Sequence, residues 1–316
     1  MGLEAQSFDS SRRCRNGMTL KRALAVLAVC ILLGAVGLFL YSRGTRTIPP
    51  DLNRASNWPA VAPSAPPSHP NTPPPVVPPP GGGERAVKKE TPPEPGFVLR
   101  PGETLEYAAN LPKLNSTVAN LKIVAVEKRN TGGKGSWHLQ AFAHTENPYR
   151  MVFELDDQFD SYSDAGSMTS LQYEMHLNER GQKVDSVERM LSSPNDPAPD
   201  GTSAARVLPG TRDPLSMLAY LRGVDWNRTS EVRSPVYDGR KLYDLRAVLV
   251  GKSTPVSVPA GKFNTTKIEL HVLDNGTEMK DAHFLLYLTN DAARLPVLME
   301  AVLPVATARV ELTKAN

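Results

Sequence analysis

The sequence predicts a mainly β protein: an antiparallel curved sheet, barrel-like or a sandwich, with one short packed α-helix and a separate N-terminal transmembrane helix. Three observations predict it: a charge-free apolar run near the N-terminus, a proline-rich stretch after that run, and alternation of apolar and polar residues through the rest of the chain. Such alternation places one face of a strand in a core and the other in solvent. We therefore divide the chain into residues 1–22, 23–41, 42–96 and 97–316.

The first part, residues 1–22, is a basic tail. It contains five basic and two acidic residues, so it carries the whole formal charge of +3. The rest of the chain is therefore neutral overall. Binding to nucleic acid through its phosphates requires a basic face, and the sequence beyond the tail does not supply a strong one. We expect no nucleic-acid partner.

Residues 23–41 form an apolar run without a charged residue. At about 1.5 Å rise per residue, this run is long enough to cross the hydrocarbon core of a membrane as a helix. More basic residues precede the run than follow it, which favours a cytoplasmic N-terminus and an outer C-terminal domain. The run ends without a small-x-small cleavage site, so we interpret it as an uncleaved signal anchor. A cleaved signal peptide and lipidation at Cys30 are the alternatives.

Residues 42–96 are interpreted as a stalk. Sixteen of the 29 prolines lie between Pro49 and Pro95. Proline fixes φ and lacks an N–H donor, so such a segment favours extended polyproline II structure. We expect a disordered, proline-rich spacer that carries the following domain away from the membrane. A docking track for proline-recognition modules is the alternative.

The last part, residues 97–316, is the candidate globular domain. Both cysteines, Cys14 and Cys30, precede it, so the domain has no disulfide and no cysteine-ligated metal. A domain of about 220 residues buries enough apolar surface to be stable without either.

Strands are predicted wherever the alternation is regular. It is clearest in 171–177 and 266–272. Eight further segments read as strands: 104–109, 121–128, 137–143, 184–191, 241–250, 284–288, 297–303 and 306–312. Turn residues separate them; Asp238-Gly239 fits a two-residue hairpin turn, and Asp274-Asn275-Gly276 a slightly longer one. About ten antiparallel strands must curl or stack to cover their apolar faces.

One helix is predicted after residue 212. Asp213 is a suitable N-cap and Pro214 a suitable first helical residue, and Gly223 ends the pattern. Leucines repeat on one face, at Leu215, Leu218 and Leu221. We expect this face to pack onto the sheet and the helix to close one end or one face of it. The preceding stretch, 192–211, is interpreted as a surface loop.

Four sequence blocks resemble a known family. They are 213–222, 238–243, 258–263 and 288–297, and they keep the order found in the bacterial domain of unknown function 3108. The resemblance covers about residues 97–312. It singles out residues to which it gives no role: Asp213, Pro214, Ser216, Tyr220, Arg222, Pro259, Gly261, Asp291, Arg294 and Pro296. For Arg294, an anion contact and a structural ion pair with Asp291 are both possible.

The resemblance implies a location and leaves the activity open. Members of this family are exported or envelope proteins of Gram-negative bacteria without assigned catalytic residues. Together with the signal anchor, this implies a single-pass protein of the bacterial inner membrane, held there by residues 23–41, with a cytoplasmic N-terminus and a periplasmic C-terminal domain.

Motifs of the large enzyme classes are absent from the sequence. It contains no G-x-S-x-G, no H-E-x-x-H, no phosphate-binding loop and no dinucleotide fingerprint. We therefore expect no catalytic residues, no cofactor and no enzyme activity. His176 and His271 share the polar faces of their strands with charged residues, so we interpret both as solvated.

The candidate metal ligands are four aspartates that occupy nine residues of sequence: Asp156, Asp157, Asp160 and Asp164. Carboxylates in a loop that folds back on itself suit calcium. The spacing departs from the EF-hand pattern, because Leu171 stands where the twelfth-position glutamate is required. A solvated acidic turn without metal is the alternative.

These features predict a non-catalytic envelope module that binds a lipid, a glycan or a protein. A curved antiparallel sheet with an apolar inner face is suited to such binding. Two alternatives remain: a structural or TonB-like protein that spans the envelope, and a periplasmic enzyme with an unrecognised site.

Overall fold

The computed structural model describes residues 99–131, 134–179, 181–193, 196, 203–279, 283–302 and 307–316. The predicted tail, transmembrane helix and stalk, at 1–22, 23–41 and 42–96, lie outside these residues. Within the described ranges, no helix has the length and apolar character that crossing a membrane requires.

One sheet of fourteen strands dominates the described residues. The strands are β1 (Glu103–Leu111), β2 (Ser116–Thr131), β3 (Lys134–Thr145), β4 (Asp156–Asp164), β5 (Ser170–Glu179), β6 (Gln182–Leu191), β7 (Ser203–Arg206), β8 (Glu231–Tyr237), β9 (Leu242–Val258), β10 (Gly261–Asp274), β11 (Thr277–Glu278), β12 (His283–Thr289), β13 (Pro296–Val302) and β14 (Thr307–Ala315). One α-helix, α1, spans Pro214–Gly223, and two 3-10 turns span Pro112–Leu114 and Tyr149–Met151.

The strand order is β7-β6-β5-β4-β3-β2-β1-β14-β13-β12-β10-β9-β8, and β11 pairs with β10. Neighbours are antiparallel, except that β6 and β7 are parallel. Most pairs are hairpins between successive strands. The pairing of β1 with β14 is the long-range exception, and it places Leu105 opposite Ala315. The first strand and the last strand therefore lie side by side in the middle of the sheet.

Alternating residues give the sheet one apolar face. Along β1, Leu105, Tyr107 and Ala109 are buried, and the residues between them are half-buried. Strand β3 repeats the pattern with Trp137 and Leu139 in the core. The predicted mainly β, antiparallel domain is confirmed, because burial follows the period-two pattern of the sequence.

The segment 207–212, here called the strap, joins the two ends of the sheet. Thr211 accepts a hydrogen bond at its carbonyl oxygen from the backbone N–H of Ser170, at the start of β5 (3.0 Å). Arg212 donates to the carbonyl of Pro235 in β8 (3.0 Å) and accepts from the N–H of Tyr237 (2.8 Å). The strap thus bridges β5 and β8, so the sheet is curved round on itself.

Helix α1 is buried on every side. All ten of its residues are buried, and it contacts β3, β4 and β8. The chain that follows packs against it, since Trp226 is buried and its indole N–H donates to the carbonyl of Leu221 (3.0 Å). The predicted helix is confirmed, but it packs with its whole circumference rather than with its leucine face alone.

Two local predictions are wrong. The stretch 192–211 is more than a surface loop, because it contains β7, which adds to β6 in parallel. Asp238-Gly239 is part of a four-residue link between β8 and β9, in which the Asp238 carboxylate accepts from the backbone N–H of Arg240 and of Lys241 (2.8 and 2.7 Å). The two-residue turn lies instead at Asn275-Gly276, where both residues adopt positive φ, at 49° and 78°.

Candidate functional site

The family-resemblance residue Asp213 begins α1 and is fully buried. One carboxylate oxygen accepts from the backbone N–H of Leu215 and of Ser216, both at 2.9 Å. The other accepts from the hydroxyls of Ser161 (2.6 Å) and Ser170. Burial raises the pKa of the Asp213 carboxyl above its ordinary value, and these hydrogen bonds oppose the rise. Asp213 therefore caps the helix and ties it to β4 and β5.

Arg222, in the last turn of α1, forms a buried ion pair. Its Nη1 and Nη2 atoms lie 2.6 and 3.2 Å from the two carboxylate oxygens of Glu103, at the start of β1. The side chains are 4% and 9% exposed. The guanidinium also donates to the carbonyls of Arg294 and Ala293. The pair is bidentate and its remaining donors are satisfied, which is the arrangement that a buried charge requires.

Arg294 holds the C-terminal end of the helix. Its Nη1 atom lies within hydrogen-bonding distance of the carbonyl oxygens of Arg222, Gly223 and Val224, at 3.3, 3.0 and 2.9 Å. Those carbonyls carry the negative end of the helix dipole. Asp291 accepts from the backbone N–H of Arg294 (3.1 Å), which stabilises the turn where Arg294 adopts a φ of 43°. Among the described residues, the Arg294 guanidinium therefore bonds to backbone carbonyls rather than to the Asp291 carboxylate.

Three further residues of the resemblance lie in the helix or next to it. Pro214 is its first residue, where the missing N–H costs nothing. The ring of Tyr220 lies 3.7 Å from the guanidinium of Arg212 in the strap, a cation–π contact. Pro296 accepts at its carbonyl from the buried hydroxyl of Tyr107 (2.9 Å).

Pro259 and Gly261 lie at the turn of the hairpin that joins β9 and β10. Val258 is paired with Gly261, so Pro259 and Ala260 form the turn. Gly261 has a φ of 140°, which side-chain-bearing residues rarely adopt. The N–H of Ala260 donates to the carbonyl of Leu312 in β14 (2.9 Å). These two residues determine the shape of a turn.

We call the family-resemblance residues that lie in α1 or in the segments that contact its ends the helix seat: Asp213, Pro214, Ser216, Tyr220, Arg222, Asp291, Arg294 and Pro296. A small pocket of about 20 Å³ adjoins the helix seat and is lined in part by Leu105, Leu215 and Arg222. That volume holds roughly one water molecule. The helix seat is therefore structural, since its charged groups are bonded within the fold, Asp213 to Ser161 and Ser170 and Arg222 to Glu103, and the pocket beside it is too small for an organic ligand.

The four aspartates predicted as an acidic turn lie in strand β4, so that prediction is wrong. Alternation turns Asp157 to the inner face and Asp156, Asp160 and Asp164 to the outer face. Successive outward-facing aspartates are four residues apart along the strand, so their Cα atoms are separated by about 13 Å. Four carboxylates spread in this way cannot surround one calcium ion.

Asp157 is an acidic side chain in the inner layer. It is 6% exposed and accepts a hydrogen bond from the backbone N–H of Asn178 (2.9 Å). Burial raises the pKa of the Asp157 carboxyl to about 7; the nearby charges of Glu179 and Asp156 add to the rise, and the hydrogen bond opposes it. The group therefore changes charge near neutral pH.

The outer side of β3, β4 and β5 carries a continuous polar surface, here called the polar face. Strand pairing sets its side chains in rows, with Gln140 beside Asp160 and Asp160 beside Glu174. Its members are His138, Gln140, Phe142, Gln158, Asp160, Tyr162, Gln172, Glu174 and His176. Phe142 is 37% exposed, and Tyr162, Glu174 and His176 are half-buried.

Asp160 lies at the centre of the polar face. One of its oxygens lies 2.7 Å from Nε2 of His138 and accepts from the amide of Gln140 at the same distance, and the other accepts from Gln158 (2.7 Å). Burial acts to raise the pKa of Asp160, but these hydrogen bonds outweigh it and hold the pKa below its ordinary value. The His138 ring stacks on Tyr162 with 4.5 Å between centroids.

The polar face also brings together a set of metal-ligand atoms that the sequence did not indicate as a group, although Asp160 was one of the candidate ligands. Asp160, Glu174 and His176 each offer one such atom, and the three atoms lie within 4.8 Å of one another. Alternation places Glu174 and His176 on the same side of β5. The contribution of Asp160 could not be predicted, because it depends on the register between β4 and β5.

Comparison with known proteins gives one family match. A family model described as "Protein of unknown function (DUF3108)" matches residues 106–313. Among curated proteins, none matches the chain.

Several solved structures are similar in form. A β-barrel-like protein of the domain of unknown function DUF1849 from Brucella abortus is 12% identical, with a TM-score of 0.45, 68% of this chain covered and 97% of that one. A proposed lipoprotein from Parabacteroides distasonis is 12% identical, with a TM-score of 0.34 and coverages of 70% and 99%. A proposed exported protein with a YmcC-like fold from Bacteroides fragilis is 10% identical, with a TM-score of 0.33 and coverages of 71% and 99%.

Proposed function

We propose, from the premise that this chain belongs to the DUF3108 family of proteins of unknown function, that its β domain is a non-catalytic binding module of the cell envelope. The family description assigns no activity. The resemblance residues form the helix seat and a hairpin, where they stabilise the fold. The polar face carries chemically varied side chains: Phe142 is exposed, Gln140, Tyr162, Glu174 and His176 are half-buried, and His138 and Asp160 are buried beneath them.

The observation that carries the proposal is the arrangement of aromatic and polar groups on the polar face. Phe142 and Tyr162 lie on neighbouring strands, and Tyr162 is paired with His138, four residues before Phe142. The two rings are therefore separated by about 13 Å along the strands. Between them lie the amide of Gln140 and the carboxylate of Asp160.

This arrangement suits an envelope glycan better than a lipid or a protein. A sugar ring offers an apolar C–H face that packs on an aromatic ring, and hydroxyl groups that bond to planar amides and carboxylates. An enclosed lipid requires a cavity much larger than the pocket beside α1, which has about 20 Å³. Protein interfaces favour a core poor in charge, and the centre of the polar face is ionised.

The test is co-sedimentation of the purified full chain, in detergent, with purified peptidoglycan sacculi. We expect the wild type to sediment with the sacculi, and Phe142→Ala and Tyr162→Ala to weaken that binding at least about tenfold, since each removes one ring. Val250→Ala is the matched control, because Val250 is an exposed apolar residue of β9, outside the polar face. Equal sedimentation of all four proteins, or of none, would contradict the glycan proposal.

The proposed location is the periplasmic side of the bacterial inner membrane, with residues 23–41 as the anchor. The support is the charge asymmetry around that run. Reporter fusions after residue 60 and after residue 316 are expected to be active only outside the cytoplasm. A mature N-terminus mapped beyond residue 41 would show that the anchor is removed.

The two other functions predict different results. A TonB-like protein requires the proline-rich stalk for its function and does not depend on the polar face. An enzyme would turn over a substrate, so released soluble fragments in the sacculus experiment would favour catalysis over binding.

A further inference from the structure

His176 has a defined orientation on the polar face. Its Nδ1 atom lies 2.8 Å from a carboxylate oxygen of Asp185, on the neighbouring strand β6. Its Nε2 atom lies 3.5 Å from a carboxylate oxygen of Glu174. An imidazole whose Nδ1–H donates to a carboxylate turns the Nε2 lone pair away from it, and carboxylate–histidine–metal arrangements are built in this way.

Over the residues that the structure describes, the carboxylates around His176 have no paired lysine or arginine, although strand register places Arg189 and Lys183 on the same face, opposite Gln172 and Asn178. Asp160 forms hydrogen bonds with His138, Gln140 and Gln158, and Glu174 lies directly opposite it in the strand register. Within the described part of the chain, no lysine or arginine forms an ion pair with Asp160, Glu174 or Asp185. Two neighbouring carboxylates and a lone pair aimed at one of them repel each other unless a cation lies between them.

His138 fixes the orientation of Asp160. Its side chain is 8% exposed, and its Nε2 atom contacts Asp160 at 2.7 Å. Its Nδ1 atom is buried without a hydrogen-bond partner. A protein rarely buries an imidazole with one nitrogen unpaired, and here the paired nitrogen orients the carboxylate at the centre of the polar face. Carboxylates that bind metals are commonly held by such neighbours.

We propose that Asp160, Glu174 and His176 form a binding site for one divalent transition-metal ion, with Asp185 and His138 as positioning residues. A set of one imidazole and two carboxylates suits Zn²⁺ or Mn²⁺ and disfavours Ca²⁺, which takes oxygen ligands. Three protein ligands leave a coordination position for solvent or for an oxygen of a ligand. The inference goes beyond the proposed glycan binding and is tested with the metal alone.

The rival occupant is a proton. His176 paired with two carboxylates has a pKa raised above its ordinary value, first by its hydrogen bond to Asp185, with Glu174 adding to the rise while burial opposes it. A proton bound to Nε2 of His176 would occupy the same lone pair that the metal would use. The two occupants can be distinguished by measurement, because a protonated His176 would bind no metal ion.

The experiment is calorimetric titration of Zn²⁺ into the metal-free full chain, in detergent at neutral pH. We expect one zinc ion per chain, and at least about tenfold weaker binding in Glu174→Gln and in His176→Gln. Asp185→Asn tests the positioning role, with about 10–100-fold weaker binding. Absorption bands of bound Co²⁺, present in the wild type and lost in Glu174→Gln, provide a second readout.

His271→Gln is the matched control. His271, in β10, also lies between two glutamates, Glu269 and Glu278, but the residue opposite it in β9 is Arg246 rather than an acid. This variant is expected to bind zinc as the wild type does. Each variant is melted without metal to establish that it folds. No saturable zinc binding by the wild type, or equal affinity in His176→Gln and His271→Gln, would overturn the proposal in favour of the proton.

Discussion

Asp157 links the charge of one residue to the stability of the domain. Its folded pKa of about 7 lies above the ordinary value of 3.8, so the folded state holds a proton that the unfolded state has released. The stabilisation is therefore complete below the ordinary pKa and is lost as the pH rises through about 7. A rise of three units corresponds to about 4 kcal/mol.

We predict that Asp157→Asn removes this part of the pH dependence. The amide keeps an acceptor for the N–H of Asn178 and carries no charge. The measurement is the free energy of unfolding in urea at about pH 5 and about pH 8. The wild type is expected to lose more stability over this interval than the variant.

The control for Asp157 is Asp156→Asn. Asp156 is adjacent in β4 but faces outward, where its hydrogen bond to Arg150 holds the pKa of its carboxyl below the ordinary value, against the opposing effect of burial. This variant should keep most of the wild-type loss between the two pH values, because burial is the main cause of the raised pKa of Asp157 and the charge of Asp156 is the smallest of its causes. If Asp157→Asn also kept it, the titrating group would be a different one.

The buried pair of Arg222 and Glu103 gives a second residue-scale prediction. Arg222→Gln leaves the Glu103 carboxylate buried without a counter-charge, which typically costs about 3–5 kcal/mol. The measurement is again the free energy of unfolding. Arg129→Gln is the control, since Arg129 pairs with Glu127 on the surface and should change stability little. Equal effects of the two substitutions would mean that the buried pair contributes no more than a surface pair.

At the scale of elements, α1 fills the space that the curved sheet encloses. Leu218 is 7% exposed and lines the small pocket beside the helix. We predict that Leu218→Ala lowers the free energy of unfolding by about 2–5 kcal/mol, because the lost methyl groups leave a cavity. Thermal melts with and without an envelope lipid extract should show the same decrease.

Val250→Ala is the matched control for Leu218. Val250 is 48% exposed on β9, so its truncation should change stability by no more than about 0.5 kcal/mol. A helix that acted as a lid over a lipid cavity would behave differently. In that case the extract would raise the midpoint of the wild type, and Leu218→Ala would lose that rise.

The elements were predictable where local pattern decides them. Alternation in 171–177 and 266–272 corresponds to β5 and β10, and the Asp213-Pro214 start of α1 follows from the geometry of helix ends. The turns were less predictable, because Asp238 has a side chain that can cap backbone N–H groups, and this favoured a four-residue link. The acidic run, residues 156–164, was wrongly predicted to be a turn. The spacing of its four aspartates does not reveal that they lie in a strand, where alternation directs their side chains to different faces.

The functional residues were predictable only in part, because their partners are distant in sequence. Arg222 meets Glu103, 119 residues away, and its other contacts are 71 and 72 residues away. No local pattern reports such contacts. Alternation in the sequence predicts that His176 and Glu174 lie on one face of β5, and we interpreted that face as solvated. The convergence of Asp160 with them required the register of β4 and β5.

At the scale of the whole molecule, β1 and β14 explain how the domain stands apart from what precedes it. Thr104 and Asn316 exchange backbone hydrogen bonds at 3.4 and 3.0 Å, so the two ends of the β domain lie together beside β1 and β14, in the middle of the sheet. Every strand has its neighbours within the described residues.

We therefore predict that deletion of residues 49–94 leaves the unfolding of the β domain unchanged. These residues lack the alternation that a core strand requires, and their prolines cannot donate to a sheet. The measurement is the thermal midpoint of the full chain and of the deletion variant, with the anchor retained in both. Deletion of 99–111 is the control, since it removes β1, the strand between β2 and β14, and should abolish the transition. A fall of many degrees on deleting 49–94 would mean that part of the proline-rich segment packs on the domain.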